Sequence, residues 1–224
     1  MQMVAMRSLT SKSLSGLSLF IAILFLMGAV FAANNNTLTV KCVDESGKAL
    51  AGAKVQIALL GTGAPAKWQD KKADGSGVAH YDKLDDGVYR VVARPEAFTP
   101  GLVDLVLLKN GAQETVTVKC PAGNPLKKFF FEDPAVTQKA IETLRGIGPL
   151  LQANKWEEAE KGCRSALELN PSSPDALYYL GVTLIYQKKW EATQEIWRQA
   201  AKMLNALVSI PQPKDAKGAV QPSP

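Results

Sequence analysis

The hydrophobic period of the chain changes once, at residue 133. Between residues 36 and 120, apolar and polar residues alternate in short runs punctuated by Gly, Asn and Asp, the pattern of half-buried strands. From Asp133 onward the apolar residues recur at three- and four-residue steps, the pattern of amphipathic helices. Side chains alternate between two faces on a strand and gather along one stripe on a helix, so no single element type accommodates both halves. The chain is expected to be multidomain, an all-β unit followed by an all-α unit.

The β unit reads as seven short strands: LTVKCV, AKVQIAL, AKWQDKK, GVAHY, GVYRVVAR, LVDLVLL and ETVTVKC. Their size and spacing predict a seven-stranded β-sandwich over 36–120. Asn110-Gly111 between two apolar strands is a hairpin signal, and Val55, Tyr89 and Val91 alternate into the expected core. GKALAGAKVQI followed by ADGSGVAHYDKLDDGVYRVVAR resembles the carboxypeptidase regulatory-like (prealbumin-type) β-sandwich. The resemblance rests on Gly47, Leu50, Gly52, Ala53 and Val55, then on Gly77, Tyr81, Leu84, Gly87 and Tyr89. It implies a spacer, an adhesion module or a starch-like binding platform. Trp68, Tyr81 and Tyr89 are then the aromatic candidates for carbohydrate contact. Related pilin modules join a lysine of the first strand to an asparagine of the last. Lys41 could be that lysine, but ETVTVKC holds no asparagine, so the bond is not expected.

Residues 121–133, PAGNPLKKFFFED, form a linker whose three phenylalanines are expected to pack into the seam between the modules. Asp133 and Pro134 are an N-cap and a first-turn proline. NKWEEAEKGCRSA and KKWEATQEIWRQA place Trp156 and Trp190 34 residues apart, and Cys163 with Trp197 and Ala166 with Ala200 keep that spacing. Helix–turn–helix units at this period resemble tetratricopeptide (TPR) repeats. The resemblance implies a short array of about four helices over 134–206, with Leu180-Gly181 as the small pair between neighbouring helices. Pro149 is expected to kink or break the first helix. Two units are fewer than the three or so of a self-sufficient stack. The missing burial is therefore expected from the β module, from self-association or from a partner. Residues 207–224 are expected to be a disordered tail, because the closing stretch PQPKDAKGAVQPSP is polar and Pro-rich.

Chemistry-bearing residues are few. The single histidine, His80, lies in an alternating strand, and with three separated cysteines it supplies no metal site of ordinary spacing. No metal, cofactor or catalytic residue is expected, and the chain does not read as an enzyme. Binding is the expected activity. The TPR resemblance puts the groove on the first helix of each unit. Its positions are Asp175, Tyr178, Tyr179, Val182, Ile185 and Tyr186 in the second unit, and Leu144, Arg145, Leu151 and Gln152 in the first. Tyr178, Tyr179, Val182, Ile185, Tyr186 and Arg145 are the candidate partner-binding residues. Aromatic and aliphatic side chains suit a protein or peptide partner. A carbohydrate taken up by the sandwich is the alternative.

At the N-terminus, Arg7 and Lys12 precede GLSLFIAILFLMGAVFA, so residues 1–32 read as a signal peptide cut after Ala32, with an uncleaved anchor as the alternative, since the apolar run is at the short edge of what spans a bilayer. Its loss leaves 24 basic residues against 21 acidic ones, a charge of +3, too small to argue for nucleic acid. No stable membrane span is expected after cleavage, and the expected location is periplasmic or extracellular. Cys42 and Cys120 each close a TVKC stretch, in the first and the last strand. In an oxidising compartment they are expected to form a disulfide worth roughly 4–5 kcal/mol, leaving Cys163 free.

Overall fold

The computed structural model describes residues 35–61 and 66–210; the expected signal peptide and most of the expected tail lie outside them. Seven strands come first: β1 (Asn36–Val43), β2 (Lys54–Leu59), β3 (Trp68–Lys72), β4 (Val78–Leu84), β5 (Gly87–Arg94), β6 (Gly101–Leu108) and β7 (Gln113–Lys119). Four helices follow: α1 (Pro134–Gln152), α2 (Trp156–Leu169), α3 (Pro174–Tyr186) and α4 (Trp190–Ser209). The strands make a sandwich of two sheets, ordered β4-β1-β7 and β3-β2-β5-β6. All pairings are antiparallel except β1 with β7, which run parallel. No described helix is long and apolar enough to cross a membrane.

Alternation fills the space between the sheets with Leu38, Val40, Val55, Ile57, Tyr89, Val91, Leu108 and Val118. Tyr81 and Tyr89 belong to this core, with about 1% of each side chain exposed. Their hydroxyls donate to the carbonyls of Val55 at 2.9 Å and Asp85 at 3.1 Å. Neither ring is available to a sugar, which corrects that expectation and leaves Trp68.

The expected disulfide is also corrected. Cys42 and Cys120 are free and buried. Cys42 lies opposite Val118 in the parallel ladder, so Cys120 sits two residues further along the same face. Strand geometry then separates their Cα atoms by about 8 Å, beyond the ~7 Å that a disulfide bridges without moving the backbone.

The β5 strand is buried on both faces. Tyr89 and Val91 point into the sandwich; Val88 and Val92, on the opposite face, are buried as well. The 121–133 segment lies on that outer side of β5, its rings against Arg90 and Arg94. Phe131 lies 3.9 Å under the Arg90 guanidinium and stacks on Trp68 at 6.0 Å, and Phe129 lies beneath Arg94. Arg94 also pairs with Glu132.

A bulge in β6 joins the two modules. Val91 pairs with Val103 and Tyr89 with Val106, so β6 holds one extra residue between these pairs. Leu105 takes up the excess at φ 60 and packs against the helical core. The neighbouring Asp104 side chain is 1% exposed. It accepts from Arg90 Nε and Nη2 at 2.9 and 2.7 Å, from the Leu105 N–H at 3.1 Å and from Ser172 Oγ at 2.8 Å. Ser172 lies between α2 and α3, so one saturated carboxylate holds strand, bulge and helices together.

The helices form two hairpins with the same turn. Asn154 and Lys188, 34 residues apart, both take the left-handed conformation, at φ 56 and 60. The residue after each donates its N–H to Leu150 or Leu184, both bonds at 2.9 Å. Two expectations change here. The α1 helix runs through Pro149 unbroken; the proline sits in the last turn, where it forfeits one backbone bond near an end that frays. The α4 helix extends to Ser209, so residues 207–209 are helical rather than part of a tail.

Candidate partner-binding face

The α3 helix begins at Ser173, whose hydroxyl caps the Ala176 N–H, and Pro174 supplies the first turn. Its inner side, Leu177, Leu180 and Leu184, packs with Ile147 of α1 and Cys163 of α2. Gly181 faces α4, where a Cβ would come within 2.7 Å of the Trp197 ring. That close approach leaves Tyr178, Val182 and Ile185 along the outward side of α3. Tyr178 and Ile185 are 56% and 39% exposed, and Val182 is half-buried.

The structure divides the six sequence-derived candidates. Tyr178, Val182 and Ile185 share one face, with Trp197 of α4 against Tyr178 at 6.4 Å. Tyr186 is exposed but stacks flat on Trp156 of α2 at 4.3 Å. Tyr179 turns toward the helical core and is half-buried. Arg145 is exposed on α1, and among the described residues no ring contact joins it to the tyrosines.

Sequence reasoning missed the α4 contribution. Trp190, Trp197, Leu204 and Val208 are all large, apolar and exposed. Their spacing of seven, seven and four residues was a readable signal, passed over because Trp190 and Trp197 were read only for their 34-residue spacing to Trp156 and Cys163.

The rest of the described surface offers little chemistry. No group of three or more acidic, Cys or His side chains among the described residues could hold a metal. His80 is exposed and meets Thr39 Oγ at 3.1 Å. Burial pushes the Cys42 thiol up to about 12, helped by its neighbour Cys120, and pushes Cys120 and Cys163 up to about 11. Thiols so shifted are poor nucleophiles at neutral pH. On the sandwich, Trp68 is 39% exposed above Phe131.

No family profile matches the chain, and no curated protein matches it. Three similar solved structures can be compared. The Bacillus anthracis TIE protein is 16% identical over 40% of this chain and 17% of its own, with a TM-score of 0.31. The major pilin SpaD from Corynebacterium diphtheriae is 18% identical over 39% of this chain and 30% of its own, with a TM-score of 0.32. A DUF3823 family protein from Parabacteroides merdae is 18% identical over 40% of this chain and 47% of its own, with a TM-score of 0.34. The chain thus spans less than half the length of each. Likeness at these TM-scores assigns no function.

Proposed function

We propose that this chain is an exported, non-catalytic binding protein whose two helical hairpins are TPR-like units that dock a protein or peptide segment, with no cofactor. The observation that carries this reading is the outward side of α3. Tyr178, Val182 and Ile185 present a contiguous apolar and aromatic face beside Trp197, on a framework fixed by the Asp104 junction. Rigid aromatics at helical spacing suit an amphipathic helix or an extended segment, because they bury large areas at low entropy cost. The repeated left-handed turns at Asn154 and Lys188 support the TPR-like reading. Export to the periplasm or outside the cell rests on the signal peptide expected at 1–32, and a role in an envelope assembly follows from that location.

The test is selection from a displayed peptide library on the purified chain, with recovered peptides re-measured on Tyr178→Ala/Ile185→Ala. Loss of two central anchors should weaken a docked peptide about 10- to 30-fold. Peptides that bind both proteins equally would refute the α3 face.

A second reading has one observation in its favour, the exposed Trp68 ring on the sandwich. It makes the sandwich a carbohydrate-binding or adhesion module and the helices its docking platform. Polysaccharide binding abolished by Trp68→Ala, alongside an empty peptide selection, would favour it.

A further inference from the structure

The 34-residue repeat allows the two hairpins to be compared position by position. Cys163 of α2 is the counterpart of Trp197 of α4. Cys163 is fully buried, beside Thr183 of α3 and within the core that Leu177, Leu180 and Leu184 complete. On the first hairpin this face is therefore a helix-docking face, and α3 occupies it. On the second hairpin the same face carries Trp190, Trp197, Leu204 and Val208 at 54, 38, 53 and 84% exposure. Among the described residues no helix comes after α4 to cover it.

The stripe has internal symmetry. Its positions, 190, 194, 197, 201, 204 and 208, make a heptad seam broken only by Gln194. Laid antiparallel on a copy of itself about residue 199, the seam brings Trp190 onto Val208, Gln194 onto Leu204 and Trp197 onto Ala201. Each bulky residue then meets a smaller one, as interdigitated packing requires. A parallel pairing would set tryptophan on tryptophan.

We propose that the outer face of α4 is a self-association surface, on which a second copy of this chain seats its own α4 antiparallel to form a two-fold dimer. The choice of occupant rests on the continued helix-docking interface and the self-matching register. The residues from 211 to 224 are a poor alternative. They hold four prolines, and their longest proline-free run is eight residues, 214–221. As a helix that run would reach about 12 Å, against about 27 Å for the stripe. The four large side chains expose on the order of 500 Å² per copy, below the ~800 Å² per side of a standard interface. The dimer is accordingly weak, of micromolar affinity.

Sedimentation equilibrium on the purified chain tests it. Wild type should associate reversibly in the micromolar range. Leu204→Glu should weaken association at least tenfold, and Val208→Glu should repeat the effect at the most exposed of the four positions, where folding is not at stake. Gln194→Lys should weaken it less. Gln194→Lys/Leu204→Glu in one chain should recover to within about threefold of wild type, because each copy then sets a lysine against its partner's glutamate twice across the axis. A wild-type chain that stays monomeric at about 100 µM overturns the proposal. So does association indifferent to both glutamates, or a double variant no better than Leu204→Glu alone. Association that appears only once 211–224 are removed would give the stripe to the chain's own tail and overturn the second copy as occupant. A monomeric wild type would leave the docking on α3 standing, since that rests on Tyr178 and Ile185.

Discussion

The sandwich and the helical hairpins differ in how completely each closes its own core. The sandwich buries Tyr81 and Tyr89 and satisfies their hydroxyls from its own backbone, leaving Trp68 of β3 as its exposed large aromatic. The helices leave Tyr178, Trp190, Trp197 and Leu204 in solvent and take part of their cover from outside, through Leu105 of β6. A two-sheet sandwich closes because each sheet covers the other. A two-hairpin stack has an open end by construction. The two proposed binding surfaces lie accordingly on the module that cannot finish its core alone.

The largest effect should come from breaking the junction through which the helices borrow cover. Asp104→Ala leaves Arg90 without its bidentate partner and frees Ser172. Loss of one partner of a buried pair costs 3–5 kcal/mol; Arg90 keeps some water contact, so about 3 kcal/mol is expected. Urea unfolding followed by far-ultraviolet dichroism should change from one transition to two, the helical module melting first. A single transition at an unchanged midpoint would show that the modules do not depend on this carboxylate.

Adding one methyl group to each module sharpens the contrast. At Gly77, φ is +73 and a Cβ would lie 2.8 Å from the Cys42 carbonyl and 2.9 Å from the Leu50 nitrogen. Backbone atoms in a closed sheet cannot give way, so Gly77→Ala should cost about 2–3 kcal/mol. At Gly181 the clash is with the Trp197 ring, which is partly exposed and free to swing. Gly181→Ala should cost about 1 kcal/mol, since alanine also favours the helix. Equal costs by urea denaturation would remove the contrast.

Local chemistry was legible before the fold was. Strand alternation, the Asp133-Pro134 start and the 34-residue spacing of Trp156 and Trp190 each rest on residues close in sequence, and the elements match them. Tyr89 was expected in the core from its alternation, yet the resemblance also offered it to a sugar; the burial decides for the core. The Cys42–Cys120 reading failed for a different reason. The two TVKC stretches were placed in the first and last strand with no register between them, and the first pairs with residues 115–118, two positions short of the second. A two-residue slip keeps every side chain on its face, so alternation cannot reveal it. The Asp104–Ser172 bond spans 68 residues, and the exposure of α4 depends on whether another helix stacks against it. Neither is encoded in a local period.

The thiols carry this correction into a measurement. Native protein should react slowly at all three cysteines, since burial raises each of them to about 11 or 12. Denatured, unreduced protein should titrate as three thiols. One thiol under those conditions would restore the disulfide and require β7 to shift.

The smallest predicted effect concerns how the two hairpins grip each other. Glu160 of α2 is 13% exposed. Partial burial alone would raise its carboxyl, but hydrogen bonds from Lys189, Arg164 and Gln187 outweigh that and hold it at about 2, below an ordinary value of 4.5. Lys189 and Gln187 lie in the turn between α3 and α4, so this carboxylate ties the first hairpin to the second. The folded chain thus releases the Glu160 proton more readily than the unfolded one. Its contribution is fully present above pH 4.5 and is lost as pH falls from about 4.5 to 2. Glu160→Gln should cost under about 1 kcal/mol at pH 7, the range for accessible ion pairs. The difference from wild type should shrink through that acid window, read as converging urea midpoints. Parallel midpoints from pH 7 to pH 3 would mean that Glu160 packs between the hairpins without its charge joining them.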